Sequence, residues 1–93
     1  MRKKIVAGNW KMNVDLNESI DLIESIKKIY DPSDDVEVCI APSFPFLKES
    51  IKLCKGKKIK VLAQNVNDNL KGAFTGEVSI DMLKSINVDG VIL

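Results

Sequence analysis

KIVAGNWKMN, residues 4–13, passes from a β-branched run into a loop that carries an amide, a large aromatic ring and an ammonium group. Lys4 to Ala7 reads as a strand and Gly8 as the turn that ends it. Moving outward, DLNESIDLIESIKKIY (15–30) places Leu16, Ile20, Ile23, Ile26 and Tyr30 at helical spacing, with Leu22 and Ile29 widening the apolar face. Asp15 and Glu18 form a capping-box pattern at its start. Glu24 precedes Lys28 in the favourable orientation for a surface ion pair. Pro32 disfavours helical geometry at Asp31 and ends the segment.

The alternation then repeats. VEVCI (36–40) reads as a second strand and IKVLA (59–63) as a third. Between them a helix runs from about Phe44 to Lys55, with Ser43 as its cap and Pro45 in its first turn, where a missing N–H costs little. Leu47, Ile51 and Cys54 share its inner face, and Gly56 closes it. A long polar loop follows from Gln64 to Val78; loops of that length in compact domains usually serve a function. Ser79 caps a short third helix with Ile80, Leu83 and Ile86 inward. Asp89 and Gly90 turn the chain into Val91, Ile92 and Leu93. The order βαβαβαβ predicts an α/β fold with a parallel sheet. Apolar strands are those of a sheet covered on its outer face and filled within. Leu93 falls inside an apolar run, so the expectation is a chain cut short of its complete fold.

Composition narrows function by exclusion. The 93 residues hold 14 basic and 13 acidic side chains, a net charge of +1, with 45% hydrophobic and 29% charged residues. That is the balance of one soluble globular domain over residues 1–93, and it offers no basic field for nucleic acid. Lys55, Lys57, Lys58 and Lys60 lack interleaved aromatics and read as a solvated face. There is no histidine, so Ser-His-Asp triads, Cys-His pairs and His-bearing metal sites cannot be built from this chain. Cys39 and Cys54 lie in apolar stretches outside any CxxC and read as buried reduced thiols. The start is basic, but its apolar run is too short for a signal peptide. No stretch reaches a membrane span of ~20 apolar residues. A cytoplasmic protein is expected, with no membrane or nucleic-acid partner.

In parallel α/β folds the active loops lie at the carboxyl ends of strands. Here those ends are Gly8–Asn13, Ala41–Phe46 and Gln64 onward. The first loop has neither the GxGxxG of a dinucleotide fold nor the GxxxxGK[ST] of a P-loop. Glu77 is a carboxylate without a paired acid, better suited to structural ion pairing than to catalysis. A flavodoxin-like or receiver-type binding module is the rival reading. It is disfavoured because no Asp ends Val36–Ile40 or Ile59–Ala63 and the first loop holds Asn9 and Lys11.

GNWKMN after the first strand resembles the opening of triosephosphate isomerases. APSFPFL, AQNV…GAFTGEVS and VDGVIL resemble that family's second loop, third loop and fourth strand, in order and at the family's spacing. The departures are Ile80–Asp81 after Ser79, where many members place a proline, and Gly90, where a larger residue is common. The resemblance implies a parallel βαβαβαβ segment of a TIM (β/α)8 barrel, incomplete in this chain, since the barrel needs eight βα units in ~250 residues. It implies interconversion of dihydroxyacetone phosphate and glyceraldehyde 3-phosphate through an enediolate, with no metal or organic cofactor. A glutamate base and a neutral histidine do that chemistry in the family, and both lie outside this sequence. Lys11 matches the family's catalytic, substrate-binding lysine and Asn9 its substrate-contacting asparagine. A unit charge pair at ~4 Å near a protein surface is worth about 4 kcal/mol, which is the physical reason for an ammonium beside a phosphate dianion. Trp10 is expected to point away from both and pack behind the loop. Gln64, Asn65 and Thr75 match the third loop, which meets the partner subunit of a homodimer; Gln64 and Asn65 read as interface or loop-bracing groups, and Thr75 as the tip near the partner's first loop. By the same resemblance, the isolated chain is expected to show no isomerase activity.

Overall fold

A computed structural model describes residues 4–31, 33 and 35–93. The elements are strand β1 (Lys4–Asn9), helix α1 (Leu16–Ile29), strand β2 (Val36–Ala41), a 3₁₀ turn at Phe44–Phe46, helix α2 (Leu47–Cys54), strand β3 (Ile59–Ala63), helix α3 (Ile80–Ser85) and strand β4 (Gly90–Val91). Residues 1–3 of the basic start and Pro32, read above as the helix breaker, lie outside the described residues.

Each strand pairs in parallel with the next, in the order β1-β2-β3-β4. That order never reverses. A flavodoxin-type sheet sets its first strand between the second and third, whereas here β1 touches only β2 among the described strands. Sequence-ordered parallel strands with helical crossovers make a segment of a barrel wall. β1 ends in Asn9 instead of Ala7, because Gly8 and Asn9 pair with Ile40 and Ala41. With a single neighbour, β1 stays exposed along its length, unlike β2 and β3.

The core lies between the central strands and the helices. Ile59, Val61 and Ala63 alternate inward along β3 and meet Ile23, Ile40, Leu47, Cys54 and Leu83. Lys60 points to the other face and pairs with Glu37 of β2 at 2.6 Å, so one member of the basic run is tied down.

Helix ends follow the local chemistry. The Asp15 carboxylate accepts from the Glu18 N–H at 2.9 Å, and Glu18 accepts from the Asp15 N–H at 3.1 Å. Asp15→Ala should cost about 1 kcal/mol, read as a lower urea midpoint at unchanged m. The surface pair on α1 joins Glu24 to Lys27 at 3.2 Å, one residue earlier than the spacing suggested. Gly56, at φ +79°, supplies the left-handed residue after α2. Asn87 does the same after α3 at φ +65°. There Asn87 N–H donates to Lys84 and Val88 N–H to Leu83, a Schellman closure that the Asp89–Gly90 reading passed over. Asp89 instead pins β4. Its carboxylate accepts from Val61 N–H at 2.8 Å and its own N–H donates to the Val61 carbonyl at 2.9 Å. Of the α3 residues expected inward, Leu83 is buried and Ile86 packs on the core, but Ile80 is 40% exposed at the first helical position.

Both cysteines are buried free thiols. Burial pushes Cys54 from 9.0 up to about 11, with Lys27 opposing. The folded chain thus holds this proton more tightly than the unfolded chain. Its stabilising contribution is complete below pH 9.0 and is lost as pH rises toward about 11. Comparison with Cys54→Ala tests this. The difference in unfolding free energy should be constant below pH 9.0 and shrink between there and about 11.

Candidate functional site

The carboxyl ends of β1, β2 and β3 open on the same rim because the strands are parallel and in register. The loops leaving them are joined by side chains. Trp10 N–H extends the β1–β2 ladder by donating to the Ala41 carbonyl at 3.1 Å. One residue on, Lys11 adopts φ +55°, a left-handed backbone that costs a non-glycine residue about 1–2 kcal/mol. Three contacts hold it there. Asn9 Oδ1 accepts from the Lys11 N–H at 3.0 Å. The Lys11 carbonyl accepts from Ser43 Oγ at 3.0 Å and from Gln64 Nε2 at 2.9 Å. Gln64 Nε2 also donates to the Ala41 carbonyl at 2.8 Å. Its two amide hydrogens therefore stitch the exits of β1, β2 and β3 together. Asn13 adds a local brace from Nδ2 to the Trp10 carbonyl at 2.9 Å.

The Lys11 side chain is exposed, and its ammonium has no ion-pair or hydrogen-bond partner among the described residues. With its carbonyl side turned to Lys11, the Asn9 amide keeps its NH₂ free to donate. Trp10 packs against the core, and its indole Nε1 lies 3.4 Å from where a Cβ on Gly8 would be. The ring thus shares a face with Gly8, opposite Asn9, as strand alternation requires.

Ser43 is the residue that sequence reasoning placed in the wrong role. It precedes the 3₁₀ turn but makes no side-chain cap. Pro45 has no N–H, and the Phe46 N–H donates to the Ser43 carbonyl at 3.0 Å, so no nearby donor remains and the hydroxyl turns to Lys11. The available signal was its position, a small polar residue two places after a strand end on the functional rim. Gln64, expected at a subunit interface or as a loop brace, braces the loop in this chain.

Asn65 and Thr75 stand apart from this cluster, exposed in the third loop. That loop is closed at its base by Asn67, which bridges to Ser79 and donates from Nδ2 to Glu77 at 3.2 Å. Glu77 is thus held by an amide, where an ion pair was expected. Gly72, at φ +144°, lies so close to the Phe74 ring that a Cβ would sit 2.5 Å from it. Thr75 follows beside Gly76, whose φ is +82°. Among the described residues no cluster of His, Cys, Asp or Glu could hold a metal ion, and no helix is long and apolar enough to cross a membrane.

Unreversed parallel strands, with the polar loops gathered at their carboxyl ends, define a segment of a (β/α)8 barrel. The family model of triosephosphate isomerase matches residues 4–93. The triosephosphate isomerase of Flavobacterium psychrophilum is 45% identical over 93 residues, covering 100% of this chain and 37% of that protein. Those of Clostridium beijerinckii and Fusobacterium nucleatum are 45% and 38% identical, with the same shares covered. The chain belongs to the triosephosphate isomerase family. It spans 37% of the length of these curated relatives.

Proposed function

We propose that this chain supplies the first substrate loop of a cytoplasmic triose-phosphate isomerase, which interconverts dihydroxyacetone phosphate and glyceraldehyde 3-phosphate in glycolysis and gluconeogenesis. Lys11 is the catalytic and substrate-binding cation, and Asn9 donates its amide to a substrate oxygen. The carrying observation is the backbone of Lys11, held left-handed at φ +55° by side chains from three strand exits. Strain of that kind persists only where surrounding contacts over-determine it, and it clusters at functional sites. An ammonium carried on that held backbone stabilises both the substrate phosphate and the charge that develops on the enediolate.

The proton transfers belong to the family's histidine and glutamate, and no histidine occurs in these 93 residues. The chain alone is therefore expected to be silent. The complete enzyme works as a homodimer without metal or organic cofactor, with Gln64, Asn65 and Thr75 on the subunit-facing side. Exposed Leu70 and Phe74 beside the Thr75 tip support a protein-contacting loop.

The test joins residues 1–93 to the remaining length of the Flavobacterium psychrophilum relative. Expected are a folded dimer by sedimentation, isomerase turnover in a coupled assay, and none from the 93-residue chain. A folded chimera without turnover, a chimera that fails to fold, or turnover by the chain alone overturns the proposal.

A further inference from the structure

Lys11 projects its charge from a backbone conformation that its own sequence does not favour. Whatever holds that conformation also sets where the ammonium sits. Of the contacts that do so, two converge on a single atom, the Lys11 carbonyl oxygen, from residues 32 and 53 positions away in the chain. A carbonyl oxygen has two lone pairs, and here both have a protein donor. We propose that Ser43 and Gln64 are positioning residues that act together through the Lys11 carbonyl oxygen, locking the first strand exit to the second and third. This deepens the substrate-loop reading of Lys11 and rests on it.

The two donors are unequal in reach. Gln64 spends its other amide hydrogen on Ala41, so it ties Lys11 to the ladder between β1 and β2. Ser43 holds only Lys11 and competes with no helix cap. Loss of either leaves the other donor in place, so each single loss is partly masked. Loss of both frees the carbonyl, and the left-handed backbone can relax toward the ordinary α or β regions. The ammonium then leaves its preset place. The two side chains should therefore show strong coupling, because they share one target atom.

The test uses the active chimera. Ser43→Ala should lower kcat/KM about threefold and Gln64→Met about tenfold, the range of one net hydrogen bond each. The double variant should fall about tenfold below the product of the two single losses. Ser43→Thr, which keeps a hydroxyl, should restore the activity lost in Ser43→Ala. On a Lys11→Met background, Ser43→Ala should lose its effect, since no ammonium remains to be placed. If the double variant does not fold, Gln64→Asn with Ser43→Ala withdraws the amide by one methylene and carries the same comparison. Losses that simply multiply, or a Ser43→Thr variant no better than Ser43→Ala, overturn the proposal. If Lys11→Met leaves turnover intact, the substrate-loop reading itself fails. If Lys11→Met abolishes turnover while the paired losses only multiply, the shared clamp alone is wrong.

Discussion

Lys11→Met is expected to lower kcat/KM of the chimera by about a thousandfold, the rate equivalent of about 4 kcal/mol for a unit charge pair at ~4 Å near a protein surface. Methionine keeps the length and much of the volume of the side chain and removes only the charge. The loss should appear in both constants. KM rises because the phosphate dianion loses its counter-charge in the ground state, and kcat falls because the enediolate develops further charge near the same place. Raising the salt should weaken the native enzyme more than the variant, as expected when one attraction between charges is missing. Lys28→Met is the control. It removes an exposed lysine from α1, away from the strand-exit rim, and should leave both constants unchanged. A loss below about tenfold at Lys11 would rule out a direct role of its charge.

The second large effect concerns stability. Leu47 begins α2 directly after the 3₁₀ turn and is 1% exposed, packed within the cluster that includes Ile40, Val61 and Leu83. Truncating a buried leucine removes transfer free energy and leaves a cavity. Leu47→Ala should cost about 2–5 kcal/mol. A chain of this length has roughly 5–14 kcal/mol in total at the usual 0.05–0.15 kcal/mol per residue. The variant should therefore show a large drop in urea midpoint, or no cooperative transition at all. Leu70→Ala, at a residue 57% exposed in the third loop, should stay within about 0.5 kcal/mol. Equal effects at both sites would mean that the core does not lie where the burial pattern puts it.

These two residues differ in how much of them could be read in advance. Leu47 was legible because helical spacing with Ile51 and Cys54 marks an inner face, and burial follows from periodicity. Lys11 was legible as a candidate because it follows a strand directly, and parallel folds keep their chemistry at strand ends. The capping box at Asp15, the cap at Ser79 and the closing Gly56 were legible for the same local reason: each depends on neighbours within a few residues.

Contacts between distant segments were not legible in this way. Ser43 looked like a helix cap because sequence shows a small polar residue before a helix. It does not show that Pro45 and the Phe46 N–H leave its hydroxyl nothing local to bond. The pairing of Glu24 with Lys27 and of Glu77 with Asn67 depended on rotamers and loop closure that spacing cannot rank. Asp89 resembled a turn residue until β4 lay beside β3 and its carboxylate met the Val61 N–H.

The sequence by itself determined the alternation of strands and helices, their parallel sense, the inner face of α2 and the loop that bears the cation, because periodicity, caps and turns act over a few residues; it did not rank the apolar side chains of α1 and α3, where Leu16, Leu22, Ile29 and Ile80 stay exposed. Only the tertiary structure decided the strand order and the left-handed setting of Lys11. The first depends on ladders between strands far apart in the chain and the second on groups brought together from three separate strand exits, and no local pattern encodes which distant donor will meet a given carbonyl.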